Sequence, residues 1–248
     1  MPSCLRERIN MNSPFSQTGS TSFSIIKAGG TGWQRQLPVF LLYFFLLAGG
    51  IWHITGLFQE LMEKLALPVM VLTATLLFAI QLVHTAGKYA FLRWTLFVFS
   101  LTFFVEWLGV HTGLIFGEYR YGEILNPLIS GVPVVIGASW LAILLSSMNL
   151  VQKLASRQIK ESALQSAILT AVLMVLFDLV MEPAVVKLGY WSWQQDTVPL
   201  QNYLSWFALG FLFSYWAFRK KLVYRSSSDF AAHAYFAQMG YFLLIHFM

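Results

Sequence analysis

Apolar residues in this chain run in long unbroken stretches instead of alternating with polar ones. A helix needs about 20 mostly apolar residues to cross a bilayer. Seven windows fit: 37–58, 67–86, 91–110, 132–151, 162–181, 200–218 and 230–248. The pattern predicts an all-α fold, a polytopic membrane protein of about seven transmembrane helices. The connections are too short to hold another domain, so 37–248 reads as a single transmembrane helical domain. Residues 1–36 are rich in Ser, Thr, Gly and basic side chains and read as a disordered leader. The first apolar run is longer than a signal-peptide core and has no small-residue cleavage site after it, so it is expected to stay as the first span.

Composition excludes the soluble alternative. The 248 residues are 57% hydrophobic, 17% aromatic and 11% charged, whereas soluble domains carry roughly 25% charged residues. A formal charge of +5 raises the question of nucleic acid. The basic residues answer it by dividing between membrane sides: of the 16 Lys and Arg, only Lys64, Arg120 and Lys187 fall on the side opposite the rest. By the positive-inside rule the N-terminus is cytoplasmic and, after seven crossings, the C-terminus is outside the cell inner (plasma) membrane. The expected partner is therefore the lipid bilayer and not nucleic acid. The single cysteine, Cys4, excludes an intrachain disulfide and a thiolate metal site.

Carboxylates gather on the outer side, a bias the positive-inside rule does not demand. Two lie inside apolar windows: Glu106 in FFVEWLGV and Asp178 in VLFDLVMEP. An ionisable group at such depth is costly and marks a functional site by default. Asp178 and Glu182 are four residues apart, on one helical face, with β-carbons about 5–6 Å apart. Two carboxyls in a low-dielectric site do not both ionise, so one proton stays available at neutral pH. Structural alternatives are hydrogen bonding across helices or pairing with Arg120 or Lys187. Pro183 is expected to end its helix, which would put Glu182 near the interface.

The outer half also collects His53, His111, Asn126, Asn202 and two aromatic strings, FGEYRYG (116–122) and GYWSW (189–193). Such rings suit an interfacial belt. Around an acid they also suit a carbocation, whose charge their π-faces stabilise. An internal echo links the strings. VPVVIGASW (132–140) and VPLQNYLSW (198–206) share Val-Pro, a five-residue spacer and Ser-Trp. Each follows an outer acid and an aromatic loop, with Pro133 and Pro199 expected at helix starts. A parallel repeat of the third and fourth with the fifth and sixth helices would place a site at its pseudo-axis.

The ordered strings FGEYRYGEILNPLISGVPVVIGASW, FDLVMEPAVVKLGYWSW and VPLQNYLSWF resemble the membrane carotenoid 1′,2′-hydratases of bacteria and haloarchaea, over roughly residues 90–218. The resemblance implies a carotenoid biosynthesis enzyme that hydrates the acyclic end of lycopene, γ-carotene or a C50 precursor to a tertiary alcohol. Other carotenoid-biosynthesis enzymes would be its partners. That chemistry needs a proton donor, an aromatic pocket for a tertiary cation and one water; neither metal nor redox cofactor is necessary. The expected acids are Asp178 and Glu106, with Glu182 as partner or as the base that orients water. Tyr119, Tyr121, Trp191 and Trp193 would shelter the cation. Asn126 and Asn202 would hold the water, with His53 and His111 completing the substrate-binding set.

Three other readings compete. A membrane lycopene cyclase shares the protonation step, but the polar outer loops favour admission of water. A prenyltransferase would want clustered aspartates for diphosphate and Mg²⁺. A transporter would want a polar track crossing the bilayer, and none is expected through the inner ends of the third to sixth helices.

Overall fold

The computed structural model describes residues 32–223 and 229–248, with side chains from residue 36 onward. Cys4, Arg225 and residues 1–31 of the expected leader lie outside the described residues. The described part is mostly helical: α1 (Gly32–Thr55), α2 (Gln59–His84), α3 (Lys88–Thr112), α4 (Ile136–Leu154), the short α5 (Arg157–Glu161), α6 (Ala163–Lys187), α7 (Leu200–Arg219) and α8 (Asp229–Ile245).

Four of these, α1 from Gln36, α2, α3 and α6, are long and apolar enough to cross a membrane. α4 is different because of where it sits. It packs against α2, α3, α6 and α8 and is buried almost all round. A helix shielded by its neighbours need not be lipid-compatible on any face, and α4 buries Ser146, Ser147, Asn149 and Gln152. Some of these groups form a local hydrogen-bonded chain near the C-terminal ends of α2 and α4. Asn149 Nδ2 donates to Gln81 Oε1 at 3.1 Å, and Gln81 Nε2 donates to Thr85 Oγ1 at 3.2 Å. Thr85 Oγ1 in turn donates to the Leu222 carbonyl at 3.1 Å. These groups are uncharged and scattered among leucines, so a search for acids passes over them.

Two other boundaries depart from expectation. α6 continues through Pro183 to Lys187. Proline removes one backbone donor, and here it does so only about one turn before the helix ends. Pro199 directly precedes α7 as expected, but Pro133 lies in a short strand, β3 (Val132–Pro133), before α4 begins. β3 pairs antiparallel with β2 (Leu128–Ile129).

The aromatic strings form a second antiparallel ribbon. β1 (Tyr119–Tyr121) pairs with β4 (Trp191–Trp193) in the register Tyr119↔Trp193, Arg120↔Ser192, Tyr121↔Trp191. Strand alternation sends the four rings to one face and leaves Arg120 and Ser192 exposed on the other. Three-residue strands are too short to announce themselves by periodicity. The ribbon is fixed at its end by close backbone approach, since a Cβ at Gly122 would lie 2.1 Å from the Gly189 carbonyl oxygen. On the far side of the bundle, a Cβ at Gly210 would lie 2.8 Å from Met174 Sδ, which shows how tightly α7 sits on α6.

Because the atom opposing Gly122 belongs to the main chain and cannot rotate away, Gly122→Ala is expected to destabilise by about 1–3 kcal/mol. Gly240→Ala in α8, where a Cβ meets nothing within 4 Å, is expected not to. Thermal unfolding of the two variants in detergent tests the contrast.

Candidate functional site

α3 delivers Glu106 to the interior, 5% exposed, near its outer end. One turn further on, Gly109 leaves space for the chain to fold back: a Cβ there would lie 2.8 Å from Phe116 and 3.3 Å from the Tyr119 hydroxyl. The returning ribbon brings its phenols onto the acid. Tyr119 and Tyr121 hydroxyls donate to Glu106 Oε2 at 2.5 and 2.7 Å. Trp140 Nε1, from the first turns of α4, donates to Oε1 at 2.7 Å. Burial first, and the Glu106 charge second, hold both phenols well above their ordinary value, so they stay donors.

α6 carries the other two acids. Glu182 Oε2 accepts from Trp193 Nε1 at 2.8 Å and from Trp191 Nε1 at 3.1 Å. Asp178, one turn earlier on the same face, accepts from Asn202 Nδ2 of α7 at 2.6 Å through Oδ2, while its Oδ1 is buried and meets no donor. Asp178 and Glu182 are both buried on one face of α6, a single turn apart. None of the three acids has an ionic partner among the described residues, where the ion pairs are Glu60–Lys64, Lys153–Asp229 and Arg157–Glu161. Arg120 is exposed, and Lys187 donates to the His246 carbonyl at 2.7 Å.

A cavity of about 210 Å³ adjoins these groups. Glu106, Glu182 and Asn202 supply its polar wall, with Phe116, Tyr119, Tyr121, Trp140, Trp191, Trp193 and Trp206 around them. The Trp140 and Trp206 rings stack at 4.1 Å and 22°. α1, α2 and α8 close the other side with apolar residues, His53 and Gln238. Among the described residues no cluster of three or more His, Cys, Asp or Glu is arranged to ligate a metal.

Of the residues singled out by sequence, Glu106, Glu182, Tyr119, Tyr121, Trp191, Trp193, Asn202 and His53 line this cavity. Asp178, fully buried, is not part of the lining and touches it through Asn202 and Glu182. Glu182, expected near the interface, is 2% exposed because α6 carries on past Pro183. His111 and Asn126 are exposed and apart from the cavity. His111 stands five residues beyond Glu106, about 140° around a helix of 3.6 residues per turn, and its Nδ1 bonds the Trp107 carbonyl at 2.8 Å. Sequence reasoning assigned no role to Trp140 and Trp206, although the repeated Ser-Trp pair marks both. The α1 and α2 wall carries no comparable signal, because cavity-facing and lipid-facing apolar residues look alike.

A family model described as carotenoid biosynthesis protein matches residues 66–248. That match reaches beyond the motif-bearing stretch to include most of α2 and all of α8. The chain is also 29% identical over 150 residues to bisanhydrobacterioruberin hydratase of Haloarcula japonica. The alignment covers 58% of this chain and 51% of that protein, so the chain spans about half the length of its curated relative. No solved structure matches.

Trp140→Phe keeps a ring against Trp206 but strips Glu106 Oε1 of its donor. It is expected to cost about 1–3 kcal/mol, the range for stranding a buried acceptor. Tyr121→Phe should cost less, because Tyr119 still serves Oε2. Thermal unfolding in detergent ranks the two, and the effects of Trp140→Phe and Glu106→Gln are expected to be non-additive.

Proposed function

The chain belongs to the carotenoid biosynthesis protein family, and from that premise we propose that it is a membrane enzyme adding water to the terminal 1′,2′ double bond of an acyclic carotenoid, giving a tertiary alcohol. The observation that carries the proposal is a set of buried carboxyls without counter-cations, held by aromatic N–H and O–H donors around an apolar cavity. The name of the haloarchaeal relative, a hydratase, points the same way.

In this reading Glu182, which faces the cavity, gives its proton to the less substituted alkene carbon. The π electrons form the new C–H bond and leave a tertiary cation. Asp178 sits behind, fixed by Asn202, and shares the second carboxyl of the pair. Glu106 meets only donors, an arrangement that solvates a carboxylate, so its role is to balance the cation across the cavity. The stacked faces of Trp140 and Trp206 and the rings of Tyr119, Trp191 and Trp193 shelter the charge without reacting with it. Water held at Asn202 adds to the cation, forming the C–O bond. The adduct then loses a proton to the carboxylate, which restores the acid. His53 contributes to the substrate wall.

The membrane arrangement belongs to the same proposal. The seven long helices cross the cell inner membrane, with α5 on the cytoplasmic side, the N-terminus cytoplasmic and the C-terminus outside. Residues 37–248 form one domain behind a disordered leader. α3–α4 and α6–α7 form a parallel repeat. Its support is the way corresponding parts meet: β1 with β4, Trp140 with Trp206, and buried acids on both outgoing helices, Glu106 on α3 and Asp178 and Glu182 on α6.

Expression in a lycopene-producing bacterium, followed by mass spectrometry of the pigments, tests the reading. A gain of one water is expected; an isomer of unchanged mass would show cyclisation instead, and untouched lycopene would overturn this substrate. Glu182→Gln and Glu106→Gln are each expected to lower hydration by about 10²- to 10⁴-fold, the usual worth of an acid–base group, in protein that still purifies folded. Full activity in both would remove these residues from the mechanism.

A further inference from the structure

The cavity has a wall, built by α1 and α2, from which the hydration chemistry takes only His53. Among the residues lining it, three are exposed: Phe45 at 63%, Leu65 at 38% and Val69 at 36%. Every other lining residue is buried or half-buried. The three come from α1 and α2 alone. α1 rests mainly on α8 and α2 on α4, and the two helices touch each other little. The cavity is therefore open between them.

Depth fixes what the opening faces. Leu65 and Val69 lie 6 and 10 residues into α2, and Phe45 lies 10 residues before α1 ends. At 1.5 Å per residue these positions are about 9–15 Å below the outer ends of the helices. Phe45 and Val69 fall within the apolar windows 37–58 and 67–86, at hydrocarbon depth, and Leu65, next to Lys64, falls at the border of that layer. All three rim side chains are hydrocarbon, and the acids that line the cavity, Glu106 and Glu182, come from α3 and α6. The acids Glu106 and Glu182 are buried across the cavity from this exposed rim, so a linear molecule admitted there meets them end-first.

We infer that substrate enters sideways from the bilayer through a slot between α1 and α2, rimmed by Phe45, Leu65 and Val69. The ligand class is a linear apolar isoprenoid, threaded end-first with its remainder left among the lipid tails. The rim thus selects chain ends and sets which end groups reach the acids. This inference deepens the hydratase reading and rests on it for the identity of the substrate, but the slot itself is testable without turnover.

The test uses the full chain in phosphatidylcholine vesicles carrying a diazirine analogue of geranylgeraniol, with photolabelled residues mapped by mass spectrometry. Labelling is expected at Met181 and Trp206, both only 7% exposed and both lining the cavity. Leu65→Trp and Val69→Trp should lower that labelling severalfold, and Leu65→Ala should raise it. Leu72→Trp, on an exposed part of α2 that does not line the cavity, should leave it unchanged. Labelling confined to lipid-facing side chains, or unaltered by the rim variants, would overturn the slot. A protein that labels as expected yet leaves lycopene unhydrated keeps the slot and loses the hydratase reading.

Discussion

Burying carboxyl groups in an apolar helical bundle without a cation beside them is the constraint around which the outer half of this protein is organised. Each acid would be costly alone in a low-dielectric setting. Each is instead met by neutral donors on rigid rings: three for Glu106, two for Glu182 and an amide for Asp178. Lysine or arginine would satisfy the same acids by ion pairing, at the cost of burying a second charge. Phenol and indole donors satisfy the carboxyls without adding one.

That requirement explains the loops. The segments between α3 and α4 and between α6 and α7 fold back over the helix ends as a two-stranded ribbon, and strand alternation delivers all four rings to the acids at once. Glycines at 109 and 122 mark where the returning chain comes too close for a side chain. The ribbon couples the two acid-bearing helices, so Glu106 and Glu182 line one cavity, with Asp178 behind, although they lie on separate helices. The same rings serve twice. Their N–H and O–H edges hold the carboxyls, and their carbon faces line the cavity opposite the hydrocarbon wall of α1 and α2.

Much of the candidate site was legible before the fold was known. Glu106 and Asp178 stood out because charge inside an apolar window contradicts its surroundings, and the four-residue spacing to Glu182 placed a pair on one face. Tyr119, Tyr121, Trp191 and Trp193 stood out by their density beside glycines. Direction was harder to read. His111 and Asn126 lie near the site in sequence and depth yet face away from it, because a side chain's bearing depends on helix phase and on turn geometry that no local pattern encodes. Asp178 and Glu182 also exchange places relative to expectation: the apparently more buried acid lies behind the wall, and the one beside Pro183 lines the cavity.

By itself the sequence determined that the chain is built of long apolar helices and that acids stand within or beside them, since each can be read from a short stretch of residues. Only the tertiary structure decided which donors meet which carboxyl, that Trp140 and Trp206 stack across the site, and which apolar residues line the cavity. Those outcomes depend on contacts between residues far apart in the chain. On a membrane helix, a leucine facing a cavity and one facing acyl chains obey the same rule, so only packing tells them apart.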